Sequence, residues 1–153
     1  MGITISNRQR LLKIDRKRLH RNARFWLNFL NSNENLISLV FVRDNSMRTL
    51  NFQFRGIDET TDVLAFPDFF RGNKSIDNKT IAHAINESFI GDVIISTDEV
   101  KRLFIEEKKN VHDLIDELFL HGILHLYEYG HQTKKEKIKM RKIEKKLYKT
   151  RPK

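Results

Sequence analysis

Apolar and polar residues change period several times along this chain, and each change predicts an element. Residues 3–6 alternate Ile-Thr-Ile-Ser, the two-residue rhythm of a short strand with one buried face. Asp15 then precedes Leu19, Ala23, Trp26 and Leu30 at helical spacing, which predicts an N-capped helix over 16–31 with its basic groups on the opposite face. Residues 32–35 read as a turn. Residues 36–42 are almost continuously apolar and rich in β-formers, so they predict a central strand covered on both faces. Two more short strands are expected at 62–66, stopped by Pro67, and at 91–96.

The remaining pattern is helical. Asp44 and Ser46 are both candidate caps for a short helix in which Met47, Leu50 and Phe54 share a face, ending at Arg55-Gly56. Ser96 with Glu99 reads as a capping box opening a helix to about residue 107, and Asn110 with Asp113 repeats the signal. From there Val111, Leu114, Ile115, Leu118 and Leu124 keep helical time to residue 126, which predicts a largely buried helix. Thr133 and Glu136 form a third box. Met140, Ile143 and Leu147 then mark one apolar stripe on a last helix otherwise lined with lysine and arginine, and residues 151–153 are expected to fray. The stretch 67–90 is long for a connection and is expected to be a mobile loop with room for a helical turn near 81–85. These elements predict an α+β fold, a small mixed β-sheet packed with helices, in a single domain spanning 1–153.

Composition narrows the chemistry. There is no cysteine among the 153 residues, so neither disulfides nor thiolate metal sites are available, and a transition metal must rest on His, Asp and Glu. The apolar run at 36–42 is far too short to span a bilayer. Residues 8–24 carry eight Lys or Arg where a signal peptide needs an apolar region, so a soluble cytoplasmic protein is expected. The net charge of +9 is unevenly placed: residues 132–153 hold eleven basic groups against two acidic, 8–24 hold eight against one, and 25–131 hold ten against seventeen. Basic ends of this density attract a polyphosphate backbone without reading its sequence; a solvated helix face is the plainer alternative.

Three of the six histidines fall within eleven residues at the end of the acidic middle, as His121-x3-His125-x5-His131. Four residues apart on a helix, His121 and His125 lie one above the other and can pinch one ion. Gly130 lets the chain leave the helix and return His131 to it. Three imidazoles and an open fourth position describe a catalytic zinc site, and buried surroundings would keep it dry. His20, His83 and His112 lie outside any ligating pattern and read as surface residues. Asp62, Asp92 and Glu128 are acidic neighbours that read better as turn or surface residues than as site residues.

The histidine spacing, carried on a zincin-like metal-binding helix, is also that of the metzincin proteases, which need a glutamate directly after the first histidine as general base. Here that position is Gly122, which argues against peptide hydrolysis. The pattern His121-Gly122-Ile123-Leu124-His125-Leu126 resembles instead the YbeY family of endoribonucleases that mature and quality-check ribosomal RNA. So do Leu50-Asn51 with Phe54-Arg55-Gly56, Asp58 and the run from Thr61 to Pro67, the run from Gly91 to Ser96, and the spacing of Glu136, Met140 and Glu144. The family's usual Gly-Tyr-Asp-His is replaced here by Glu128-Tyr129-Gly130-His131.

The resemblance implies that His121, His125 and His131 hold one zinc ion and that Arg55 is the functional arginine. A guanidinium suits the task, offering a bidentate fork to the nonbridging oxygens of a phosphodiester. Read without the resemblance, Arg55 is equally a cation at a helix C-terminus. The resemblance further implies a single-strand-directed endoribonuclease acting on ribosomal RNA or a ribosomal subunit, to which the charge pattern adds basic helices at both chain ends gripping backbone around a metal cleft. Two other readings stay open: a noncatalytic RNA-binding or ribosome-associated factor with structural zinc, and a metal-dependent peptidase.

Overall fold

The computed structural model describes residues 2–32, 35–68, 88–127 and 133–153. Four strands, β1 (Gly2–Asn7), β2 (Asn35–Val42), β3 (Val63–Pro67) and β4 (Ser88–Ser96), form one mixed sheet in the order β1-β2-β4-β3. β1, β2 and β4 run parallel, and β3 is antiparallel to β4 at the edge. As the apolar run predicts, β2 is central and every residue after Asn35 is buried. Five helices accompany the sheet among the described residues: α1 (Arg16–Phe29), α2 (Asp44–Arg55), α3 (Thr97–Glu107), α4 (Val111–Leu126) and α5 (Lys134–Thr150). None is long and apolar enough to cross a membrane.

The two-residue period of the strands divides the core between two faces. Ile37, Leu39 and Phe41 of β2, with Val93 and Ile95 of β4, pack with α1, α4 and α5. Val40, Val42 and Ile94 point the other way, onto Met47 with Leu50 and Phe54 of α2 and onto Leu64 and Phe66 of β3. The larger face holds Trp26 and Phe119 edge to face at 5.8 Å, and the indole Nε1–H donates to the Leu147 carbonyl at 3.2 Å, tying α1 to α5. Fully burying one such side chain stabilises the fold by roughly 1.5–3 kcal/mol, so this face carries most of the stability.

Several helix ends differ from their expected form because a distant group takes over the local role. Asp44 is the first residue of α2 rather than its cap, and Ser46 lies inside the helix. The N-cap position is Arg43, which makes no side-chain cap. The Asp98 carboxylate of α3 accepts the Asp44 amide at 2.8 Å and both ends of the Arg43 guanidinium at 2.9 Å, capping α2 across the fold. The Asp44 carboxylate in turn accepts from Ser96, Thr60 and Arg102. Only half of the expected box at Ser96 forms: its hydroxyl accepts the Glu99 amide, while its own amide donates to the Asp62 carbonyl and the Glu99 carboxylate pairs with Arg102. Asn110 caps α4 through the His112 amide, and the box of Thr133 with Glu136 is complete.

α1 ends at Phe29, two residues short of the expected span, with Asn31 in a left-handed conformation. Its basic residues do not all face outward. Arg18 turns inward onto Asp113 and the fully buried Asp116, where Arg151 meets the same two carboxylates. Arg151 also lies 3.7 Å from the centre of the Tyr148 ring, so the chain end is pinned by charge rather than frayed. Most of the expected loop, with its helical turn and His83, lies outside the described residues. Its ends are taken up by β3, which includes Pro67, and by β4, which begins at Ser88.

The Arg43 side-chain hydrogen bond holds the Asp98 carboxyl below its ordinary value of 3.8. A carboxylate depressed in the fold contributes stability that is complete above the unfolded value and lost as pH falls through the folded one. Asp98→Ala is therefore expected to cost about 1 kcal/mol at pH 7 through the lost cap on α2. The gap from wild type should shrink below pH 3.8, as urea denaturation across pH 7 to 2 would measure.

Candidate active site

α4 rests on β3 and β4, and Gly122 sets how closely it rests. A Cβ at residue 122 would stand 2.5 Å from Cγ1 of Val93, so the helix backbone lies directly on the strand where any side chain would intrude. Glycine here answers a packing demand of the sheet. His121, beside that contact, and His125, one turn on, lie at the margin of the buried face. Their ring centroids are 4.6 Å apart, and the two Nε2 atoms approach to 3.1 Å.

That separation suits a shared ion. Two imidazole nitrogens bound at 2.0–2.1 Å in a tetrahedral arrangement lie about 3.3 Å apart. Nδ1 of His121 faces Oε2 of Glu144 on α5 at 3.4 Å. With the proton on Nδ1, the ring donates to Glu144 and leaves its Nε2 lone pair directed at the point that His125 also faces, the arrangement by which a carboxylate fixes a ligating histidine. The donor set therefore fits a zinc-like cation. Sequence reasoning placed Glu144 in the last helix without giving it a task. The available signal was its position one helical turn beyond the buried Met140, which turns it toward α4.

Arg55 joins this pair through the end of α2. Gly56 adopts φ 72° and donates its amide to the Phe52 carbonyl at 3.0 Å, which stops the helix at Arg55. The exposed guanidinium then lines the same cleft as His121 and His125. The cleft is about 630 Å³, walled by Phe54 on one side and by the residues from Asp62 to Pro67 along the edge strand on the other. It is open: the His121 side chain is 30% exposed, so the dry surroundings expected for the site are not found, because the cleft forms at the sheet edge where α4 ends. The Tyr127 hydroxyl accepts from Asn35 of β2 at 3.0 Å and anchors that end.

Asp62 lines the cleft but bends its carboxylate onto its own turn, accepting the Val63 amide at 2.7 Å. Asp92 is fully buried in the sheet. His20 is exposed on α1, and His112 lies in the first turn of α4, at the opposite end from His125. Among the described residues no third His, Cys, Asp or Glu completes a ligand group with His121 and His125. His131, Glu128 and Gly130 lie outside the described residues. Of the two basic ends, only the C-terminal one borders the site. A hollow of about 270 Å³ between α4 and α5 is lined by Glu117, Arg141, Glu144 and Lys145, and its Glu144 reaches the His121 ring, whereas no described residue of α1 touches the site.

Comparison with known proteins extends these likenesses over most of the chain. A family model described as Endoribonuclease YbeY matches residues 4–151. A protein of that name from Syntrophus aciditrophicus is 31% identical, across 97% of this chain and 88% of its own. Another from Thermodesulfovibrio yellowstonii is 28% identical across 96% and 95%, and one from Clostridium perfringens is 33% identical across 72% and 71%. The solution structure of a Thermotoga maritima protein shares the fold with a TM-score of 0.56 at 21% identity, covering 96% of this chain and 89% of that one.

Because Val93 is short, branched and buried, it cannot swing away from a methyl group at residue 122. Gly122→Ala is expected to lower stability by about 1–3 kcal/mol despite alanine's better helix propensity, read from the denaturation midpoint. A more stable variant would contradict the close packing described here.

Proposed function

The chain belongs to the endoribonuclease YbeY family, and from that premise we propose a metal-dependent endoribonuclease that cuts single-stranded segments of ribosomal RNA in the cytoplasm, in the course of its maturation and quality control. The observation that carries this reading is the convergence of Arg55, His121 and His125 on one open cleft from two separate helices. In the proposal the whole chain, 1–153, works as one catalytic domain, and His121, His125 and His131 hold a single zinc ion.

When bound, zinc supplies Lewis acidity beside the scissile phosphate. The protein's own groups do the rest. Arg55 presents its fork to the nonbridging oxygens as negative charge grows on them, a role suited to the planar, multi-donor guanidinium. Glu144 holds the His121 ring in one tautomer. Phe54 and the edge strand wall the cleft, and its open side admits a polymer that passes through rather than a small molecule that must be enclosed. The contact of Gly122 with Val93 supports this reading over peptidase chemistry, since a glutamate base directly after His121 would collide with the sheet.

Three variants separate the roles. His125→Ala is expected to lose bound zinc and RNA cleavage together. Arg55→Ala should retain about one zinc per chain while cleavage falls by at least about 100-fold, in line with removal of a group that binds developing charge. Glu144→Ala should fold normally and weaken zinc affinity by about 10–100-fold in a chelator competition. Full cleavage by metal-free His125→Ala would sink the proposal. Salt-sensitive RNA binding without cleavage under any divalent metal would instead favour a noncatalytic binding factor.

A further inference from the structure

The exposed side of α1 forms a second groove, of about 720 Å³, that shares no residue with the cleft. Arg16, Lys17, His20, Arg21 and Arg24 line it, with the half-buried Phe25 giving apolar surface and Pro152 standing at its side. Among the described residues no carboxylate lines it, and Lys17, Arg21 and Arg24 make no ion pair. Positions 17, 20, 21 and 24 follow i, i+3, i+4 and i+7, so they form one stripe about 10 Å long.

These charges are badly placed for the helix itself. The first turn of α1 holds Arg16 and Lys17 and no acidic residue. A cation at the positive end of a helix dipole costs roughly 0.3–1 kcal/mol. Arg18, the next residue, recovers that cost through Asp113 and Asp116; Lys17, Arg21 and Arg24 make no such pair inside the described fold. A row of exposed cations that pairs with no carboxylate among the described residues is matched to an external polyanion, and the apolar surface of Phe25 beside it suits unstacked bases better than a purely ionic partner.

We propose that the α1 groove is an exosite for the phosphodiester backbone of single-stranded RNA, holding the flank of a substrate whose scissile segment lies in the cleft. This rests on the nuclease reading above for the identity of the RNA as substrate. The two places lie toward opposite edges of the sheet: α1 packs on β1, the cleft borders β3, and the strand order separates these edges by three strand spacings, about 14 Å. A single strand covers about 3.4 Å per stacked nucleotide, so the exosite is engaged by long substrates and is out of reach of a dinucleotide.

The test compares the full chain with a triple variant, Lys17→Gln, Arg21→Gln and Arg24→Gln, whose side chains are exposed and whose thermal unfolding should match wild type. Binding of a fluorescent single-stranded RNA of about 30 nucleotides, measured in an Arg55→Ala background to suppress cutting, should weaken by about tenfold or more, and the slope of log affinity against log salt should fall by about 2. With Arg55 intact, KM for the long RNA should rise by a similar factor, while kcat/KM for a dinucleotide stays within about twofold. Wild-type affinity and salt slope in the triple variant would overturn the exosite, and so would a groove used by a protein, which leaves RNA affinity unchanged. If wild type cuts both RNAs and the substitutions alter neither, the exosite fails and the nuclease reading stands. If RNA binds through α1 but is never cut, the binding site stands and the nuclease reading fails.

Discussion

The contact between α4 and β4 at Gly122 and Val93 is the constraint on which the cleft depends. A helix that lies this close to a sheet has no freedom to rotate, so the residues flanking the contact are fixed in direction. His121 and His125 fall at the rim of the buried face for that reason, and their nitrogens meet at 3.1 Å without either ring leaving the helix. The same closeness removes the position a protease of similar histidine spacing would use for its base. One missing side chain thus both seats the histidine pair and limits the chemistry open to it.

Charge is used in two different ways in this fold. Inside, the buried Asp116 is held by Arg18 from α1 and Arg151 from the chain end, joining three separated parts of the sequence through one carboxylate. A network across the α2 and α3 starts does similar work, with Asp98 capping α2 and Asp44 receiving Arg102 and Ser96. Outside, the surplus cations of α1 and α5 line grooves and faces that the fold leaves open. The division explains how a chain of net charge +9 keeps a well-packed core: Arg18, Arg43, Arg102 and Arg151, which join separate elements, are each paired with carboxylates.

Much of this was legible in the residues. The alternation at 3–6, the apolar run at 36–42 and the caps at Asp15, Asn110 and Thr133 located strands and helices because periodicity and capping are local. The expectation that Asp44 caps its helix failed because a residue 54 positions away provides a better acceptor. The expectation of a frayed end failed because Arg151 finds carboxylates 35 and 38 residues back. No local pattern carries such partners. The resemblance of short blocks at 50–67, 91–96 and 121–126 named the family correctly: the first and third line one cleft, and the second packs against the third where Val93 meets Gly122.

By itself, then, the sequence determined which residues could do chemistry: imidazoles at helical spacing, a guanidinium at a helix end, cations in two blocks and no thiol. Only the tertiary structure decided which of them act together. It brought Arg55 from α2 to the histidines of α4, assigned Glu144 to the His121 ring, and left the α1 cations toward the opposite edge of the sheet rather than around the cleft. The physical reason is that local propensity fixes the direction of a side chain relative to its own element, whereas its neighbours depend on how elements pack. Packing is set by contacts such as the one at Gly122, between residues far apart in the chain.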